Sequence, residues 1–387
     1  MTHRQSRLRY ILPAIIALAA AGLIGCSKND GGTAQPQKQP AVDIAAGKTV
    51  AERQCRPCHA LDGVGMGPAI PTLAGQPDAY LLAAITEYLD GRRSHGALRA
   101  ILASLSDADI RNVAAYFSSL QPVAASSAKT VELFSPYETG KKLAAPCAQC
   151  HGADGNSKMP GTPSLAGQQP RYFATAVHEY LTGSRGNPSP MHMLVRDMRG
   201  VEVDSVALYF AAQTPAQREP ASFGDPAQGE KHTVLCAGCH GLHGVSGDPA
   251  TPNLAGQDPT YLVSATKAYR NVRRYEPMIR AVAGLSDADV DNIAAFYAIQ
   301  AGKAAENSAT LVQDLTQRCN RCHGPGVRSA DIAIPRLNGQ DMDYLVMALR
   351  SYRDNRRQTS VMHSMVLPYG DASVEALASY YATQPAK

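Results

Sequence analysis

Eight of the nine cysteines of this 387-residue chain fall into four copies of one pentapeptide: Cys55-Arg56-Pro57-Cys58-His59, Cys147-Ala148-Gln149-Cys150-His151, Cys236-Ala237-Gly238-Cys239-His240 and Cys319-Asn320-Arg321-Cys322-His323. Each reads C-x-x-C-H. The copies lie 92, 89 and 83 residues apart, and the repetition extends well past the cysteines. A proline stands 12 residues after each histidine, at Pro71, Pro163, Pro252 and Pro335. It opens Pro-x-Leu-x-Gly-Gln each time, ending at Gln76, Gln168, Gln257 and Gln340. Tyr80, Tyr172, Tyr261 and Tyr344 follow at one fixed offset, and each repeat closes on an aromatic pair: Tyr116-Phe117, Tyr209-Phe210, Phe296-Tyr297 and Tyr380-Tyr381. Self-similarity on this scale means one folding unit used several times. The chain is therefore one domain of about 80–90 residues present four times.

C-x-x-C-H is the attachment signal for c-type haem. Two thiols three residues apart on one helical turn each bond a vinyl group, and the next residue offers its imidazole to the iron from the proximal side. Other uses of the cysteines explain less. Disulfides give no reason for a histidine after each pair, and zinc needs four ligands where each repeat supplies one tight pair. A thioredoxin-type site expects a βαβ setting that the pattern lacks. The reading assigns four covalent haem c groups and their iron. They attach at Cys55, Cys58, Cys147, Cys150, Cys236, Cys239, Cys319 and Cys322, with His59, His151, His240 and His323 as proximal ligands.

The pattern between motifs is helical. Ala41–Gln54 leads into the first motif, and Gln76-Pro77-Asp78 opens a helix with Pro near its first position. Ser106 to Asp109 has capping-box spacing before a helix ending near Leu120, and Ser286 to Asp289 repeats it. No useful strand alternation appears. The fold class is all-α, with three to four short helices per repeat around a flat cofactor that supplements a meagre core. The expected domains are 41–124, 130–216, 221–303 and 306–387. Short connections lie at 121–129, 213–225 and 301–308, rich in small residues and proline.

The arrangement resembles class I cytochrome c, and most of all the two-domain cytochrome c4 family, over about residues 41–387. His-Gly after the second cysteine, Leu-Ala-Gly-Gln and Leu-Ser-Asp-Ala-Asp carry the likeness. Four repeats make the chain look like two such proteins in tandem. The resemblance implies that Pro71, Pro163, Pro252 and Pro335 offer their carbonyls to the proximal histidines. It also implies electron transfer. A quinol-oxidising complex or dehydrogenase would be the donor, and a terminal cytochrome oxidase or soluble cytochrome the acceptor.

Class I domains place a methionine on the distal side, which raises the reduction potential. Between Tyr261 and Leu285 the third repeat has one methionine, Met278. Alignment on the last helix puts Met191 and Met362 opposite it, with His-to-Met separations of 40, 38 and 39 residues. Met193 and Met365 are neighbouring candidates. The first repeat has Leu98 at that place. Three arrangements stay open there: His95 as the sixth ligand, a five-coordinate iron, or Met66 reaching round from the proximal loop. An open iron would support an alternative function, peroxidase-like catalysis or small-ligand sensing. The main reading is an electron carrier, not an enzyme.

The first 25 residues hold Arg4, Arg7 and Arg9, no acid, and an apolar stretch that ends in Leu23-Ile24-Gly25-Cys26. This is an export signal, and its end resembles a lipobox in which Cys26 takes the lipid. Residues 26–40 read as a flexible tether. The expected location is the periplasmic side of a bacterial membrane, lipid-anchored, with the outer membrane favoured because Ser27 follows Cys26. The formal charge is +4, and the three leader arginines account for most of it. A strongly basic nucleic-acid binder is excluded.

Overall fold

In each repeat the C-x-x-C-H motif closes an N-terminal helical segment, and that segment packs on the last helix of the same repeat. The computed structural model describes residues 41–125, 130–186, 189–305, 311–324, 333–358 and 361–386. Cys26, the leader and the tether lie outside these. Helices, turns and loops make up the described residues, with no strand among them.

In the first repeat, α1 (Ile44–Val50) starts where the Asp43 carboxylate accepts from the Ala46 amide. It runs through a π-helical turn, Ala51–Cys55, into α2 (Arg56–His59). Then come α3 (Asp78–Leu89), α4 (Gly96–Ala103) and α5 (Asp107–Ser119). The second repeat holds α6 (Pro136–Leu143), α7 (Ala148–His151), α8 (Pro170–Leu181), α9 (Pro190–Val195) and α10 (Gly200–Ala211). The third holds α11 (Pro226–His232), α12 (Val234–His240), α13 (Pro259–Lys267), α14 (Glu276–Val282) and α15 (Asp287–Ala298). The fourth holds α16 (Leu311–His323), α17 (Met342–Arg353), α18 (Val361–Val366) and α19 (Asp371–Thr383). Ser106 and Ser286 both form the capping boxes that their spacing predicts.

Glycine sets how closely the first and last helices meet. A Cβ on Gly47, Gly140 or Gly229 would land on the carbonyl oxygen of Asn112, Ser205 or Asn292. No larger residue fits without parting the helices. Behind each crossing the core is small. It comprises Val50, Leu81, Val113 and Phe117 in the first repeat, and Leu262, Ile293, Phe296 and Tyr297 in the third.

The repeats pair in a nested order. The second pairs with the third, and the first with the fourth, so the tandem likeness describes order along the chain and not partnership in space. Gln257 Oε1 accepts from the Ser164 amide at 2.7 Å, and its Nε2 donates to the Ser164 carbonyl at 2.9 Å. Gln168 makes the reciprocal pair with Asn253, at 2.8 and 3.1 Å. The other interface repeats this geometry. Gln340 brackets Thr72 at 2.7 and 2.9 Å, and Gln76 brackets Arg336 at 2.9 and 2.8 Å. Asp258 and Asp341 then accept from the amides of Gly161 and Ala69.

Residues 213–225 do more than connect. Arg218 donates from Nε to the Gly256 carbonyl and from Nη2 to Ser157 O and Ser164 Oγ, strapping the second repeat to the third. The two pairs meet where α10 packs on α19. There the half-buried Asp204 accepts from the Asp371 amide at 2.6 Å, capping a helix of another repeat. From Val42 onward the chain forms one compact unit.

Replacing Gln257 by Ala strands both the amide and the carbonyl of Ser164. Unpaired buried groups cost about 1–3 kcal/mol each. The variant is expected to unfold at lower denaturant, with the loss seen in equilibrium unfolding of the holoprotein.

Candidate cofactor sites

All eight described cysteines are free thiols, arranged alike in the four repeats. The first of each pair is half-buried and the second exposed. Burial pushes the Cys55 thiol up to about 11, and the Cys147, Cys236 and Cys319 thiols shift the same way. Such thiols stay protonated at neutral pH.

The imidazoles are clamped from behind. Nδ1 of His59, His151, His240 and His323 lies 2.9, 2.7, 2.9 and 3.0 Å from the carbonyl oxygens of Pro71, Pro163, Pro252 and Pro335. A carbonyl only accepts, so Nδ1 carries the proton and Nε2 keeps its lone pair. Burial lowers the pKa of all four rings, and the proline contact opposes this only in part. Neutral imidazole with a free Nε2 is the ligand form for iron.

The loop between His and Pro is shaped for this. The Gly63, Gly155 and Gly244 carbonyls each accept from Leu73, Leu165 and Leu254 at 2.7 Å. The residue after the histidine must take positive φ, at Gly152 (83°) and Gly241 (79°), while Ala60 adopts it at 48° in the first repeat. A side chain on Gly241 would also collide with the Val245 carbonyl.

Met191, Met278 and Met362 are half-buried at the start of α9, α14 and α18. The neighbouring Met193 and Met365 are 72% and 43% exposed, and Met66 is 66% exposed. In the first repeat Leu98 holds the equivalent half-buried position in α4. His95 is exposed and caps that helix, its Nδ1 accepting from the Leu98 amide at 3.2 Å.

Two buried hydroxyls border the motifs without an oxygen or nitrogen partner: Thr72 Oγ1, next to Pro71, and Tyr297, which has the Cys236 sulfur beside it. With a thiol pair and a lone-pair imidazole in each motif, the residues fit a covalently attached haem in each repeat. Among the described residues no cluster of three or more His, Cys, Asp or Glu is placed to hold a separate metal ion.

Each paired interface also buries arginine and tyrosine. Arg185 lies over Tyr172 and Tyr180 at 5.4 and 5.5 Å and pairs with Glu179 at 2.6 Å. Across from it Arg273 lies over Tyr269 at 5.3 Å and reaches the Tyr261 hydroxyl at 3.4 Å. In the other pair Arg93 binds Glu87 and reaches Tyr352 at 3.4 Å, and Arg357 lies over Tyr344 and Tyr352 at 5.5 and 5.2 Å. Taken one at a time, the Arg93 and Arg273 positions read as a solvated basic face. Both side chains are buried instead, because each guanidinium stacks on tyrosines inside a repeat interface.

Comparison with known proteins agrees with this geometry. The cytochrome c family profile matches residues 44–121 and 137–211. Cytochrome c4 of Pseudomonas aeruginosa is 31% identical over 175 residues, which is 41% of this chain and 87% of that protein. A thiosulfate dehydrogenase electron acceptor of Thiomonas intermedia is 29% identical, covering 43% of this chain and 82% of that one. A crystal structure of reduced cytochrome c4 from Pseudomonas stutzeri is similar over 42% of this chain and 98% of that chain, at 27% identity and a TM-score of 0.38. The chain belongs to the cytochrome c4-like class I c-type cytochromes and is an all-α, multihaem electron-transfer protein with four covalently bound haem c groups.

Proposed function

We propose that this chain is a lipid-anchored, periplasmic relay that passes single electrons from a quinol-oxidising complex or dehydrogenase to a terminal oxidase or soluble cytochrome. The observation that carries it is the fourfold clamp of a neutral imidazole by a proline carbonyl beside two free thiols. Each haem, when bound, supplies one Fe(III)/Fe(II) couple.

The residues divide the work. The cysteine pairs hold the cofactor, and His59, His151, His240 and His323 donate from the proximal side. Met191, Met278 and Met362 close the distal side of the second, third and fourth sites with thioethers. Leu98 closes the first with hydrocarbon, leaving that site with His59 as its protein ligand and with the lowest potential of the four. We assign the anchor to Cys26 and the domains to 41–124, 130–216, 221–303 and 306–387. An outer-membrane location rests on Ser27 alone. No described helix is long and apolar enough to cross a membrane. The likeness to a thiosulfate dehydrogenase electron acceptor supports a dehydrogenase as one class of donor.

The reading is tested with the purified holoprotein. It is expected to be reduced by quinol-oxidising membranes and reoxidised by a soluble cytochrome or oxidase-containing membranes, followed by absorbance. Failure to give up electrons to any of these would contradict it. The Leu98 assignment predicts one carbon monoxide bound per reduced chain. Leu98→Met is expected to abolish that binding and raise the lowest midpoint. Carbon monoxide binding that survives Leu98→Met would contradict the assignment.

A further inference from the structure

Two histidines outside the proximal motifs stand directly after a distal methionine. His192 follows Met191 in α9, and His363 follows Met362 in α18. Both are half-buried, and both make the same contact. His192 Nδ1 lies 3.1 Å from the carbonyl oxygen of Tyr180, and His363 Nδ1 lies 2.7 Å from that of Tyr352. A carbonyl only accepts, so each ring donates from Nδ1. Tyr180 and Tyr352 are the last residues but one of α8 and α17. Carbonyls in the last turn of a helix lack an intrahelical partner. These two accept from the Gly183 and Asn355 amides at 3.3 and 3.2 Å, and the imidazole takes a further lone pair. Each histidine therefore ties a methionine-bearing helix to the end of the preceding helix.

The acceptor is present in every repeat, and the donor is not. Tyr88, Tyr180, Tyr269 and Tyr352 hold equivalent positions. Arg93, Arg185, Arg273 and Arg357 lie over their rings at 5.8, 5.5, 5.3 and 5.2 Å, so each tyrosine is pinned in the same way. The residue after the distal position is an exposed arginine, Arg99, in the first repeat and Ile279 in the third. Isoleucine has no side-chain donor to offer. On its inner side α9 packs Met191 against a cluster of Val177, Val195 and Val203. The apolar cluster holds this helix from within, and His192 holds it from the rim. With six residues each, α9 and α18 are too short to stand alone, so their orientation depends on such contacts.

We propose that His192 and His363 are positioning residues for the distal ligands of the second and fourth sites, each holding the methionine beside it against displacement by a competing donor. The proline carbonyl fixes the ligand on the proximal side, and the histidine tether is its distal counterpart. In displacement the methionine sulfur leaves as its bond to iron breaks. An incoming nitrogen lone pair bonds in its place, and no electron or proton is transferred. A tethered helix resists this because the sulfur can withdraw only by moving a segment fastened at both its rim and its core. Partners that orient a ligand in this way change its retention by about tenfold or more. This inference rests on the methionines assigned in the electron-carrier reading and adds what keeps two of them in place.

The test titrates the oxidised four-haem holoprotein with free imidazole and follows the far-red absorption that thioether ligation gives Fe(III), whose intensity counts methionine-bound sites. In His192→Phe, which keeps the ring and loses the donor, a third of that absorption is expected to disappear at about tenfold lower imidazole than in the parent. His363→Phe is expected to do the same for another third, and the share belonging to Met278 stays where it was in both. His192→Asn and His363→Asn carry an amide donor near the place of Nδ1 and are expected to keep the parent titration. Parent-like titrations in both Phe variants, with helix content and four haems retained, would overturn the proposal. Asn variants that loosen as far as the Phe variants would overturn it too, because the donor would then not be what holds the ligand. A parent protein without the far-red absorption would overturn the methionine assignment and this inference together. Reversible reduction of all four haems would leave the carrier reading standing in each of these cases.

Discussion

One hydrogen bond, from an imidazole Nδ1 to a proline carbonyl twelve residues downstream, organises each quarter of this molecule. It fixes the tautomer of the ring and so decides that Nε2 is a lone-pair donor. It also requires the intervening loop to fold back, which the Gly63–Leu73 contact and its copies accomplish. The same fold-back carries Gln76, Gln168, Gln257 and Gln340 to the surface of the repeat, where each brackets the backbone of a partner. A single loop thus sets the imidazole tautomer on one side and the domain pairing on the other.

Pairing sorts the repeats into two kinds. The first and second carry a glutamate beside the interface arginine. The third and fourth carry an aspartate after the glutamine, and Asp258 and Asp341 use it to hold the amides of Gly161 and Ala69. Each interface joins one of each kind. The molecule is therefore not four equivalent beads. It is two similar pairs of unlike members, joined where Asp204 caps α19.

Much of this was legible in the sequence because the chemistry is local. The thiol pair and its histidine share one helical turn. Ser106 and Ser286 cap helices with partners three residues on, and Met278 stands alone in its segment. What escaped reading depends on distance along the chain. All four repeats carry the same glutamine, so the motif itself does not say that the fourth repeat partners the first. The signal that distinguishes them is Asp258 and Asp341, against Pro77 and Gln169, which reads locally as ordinary helix-start variation. The burial of Arg93 and Arg273 is hidden for the same reason, since only a partner repeat completes it. The π-helical turn at Ala51–Cys55 left no pattern in its residue types. The contact of His95 Nδ1 with the Leu98 amide likewise has no signature in the residue types.

The central claim is that four separate one-electron sites are assembled on one chain. Coulometric reduction of the fully oxidised holoprotein measures this directly, by counting electrons taken up per chain and returned on reoxidation. The account predicts four, all recovered. A count below four in protein carrying its full complement of haem, or electrons that do not come back, would contradict it.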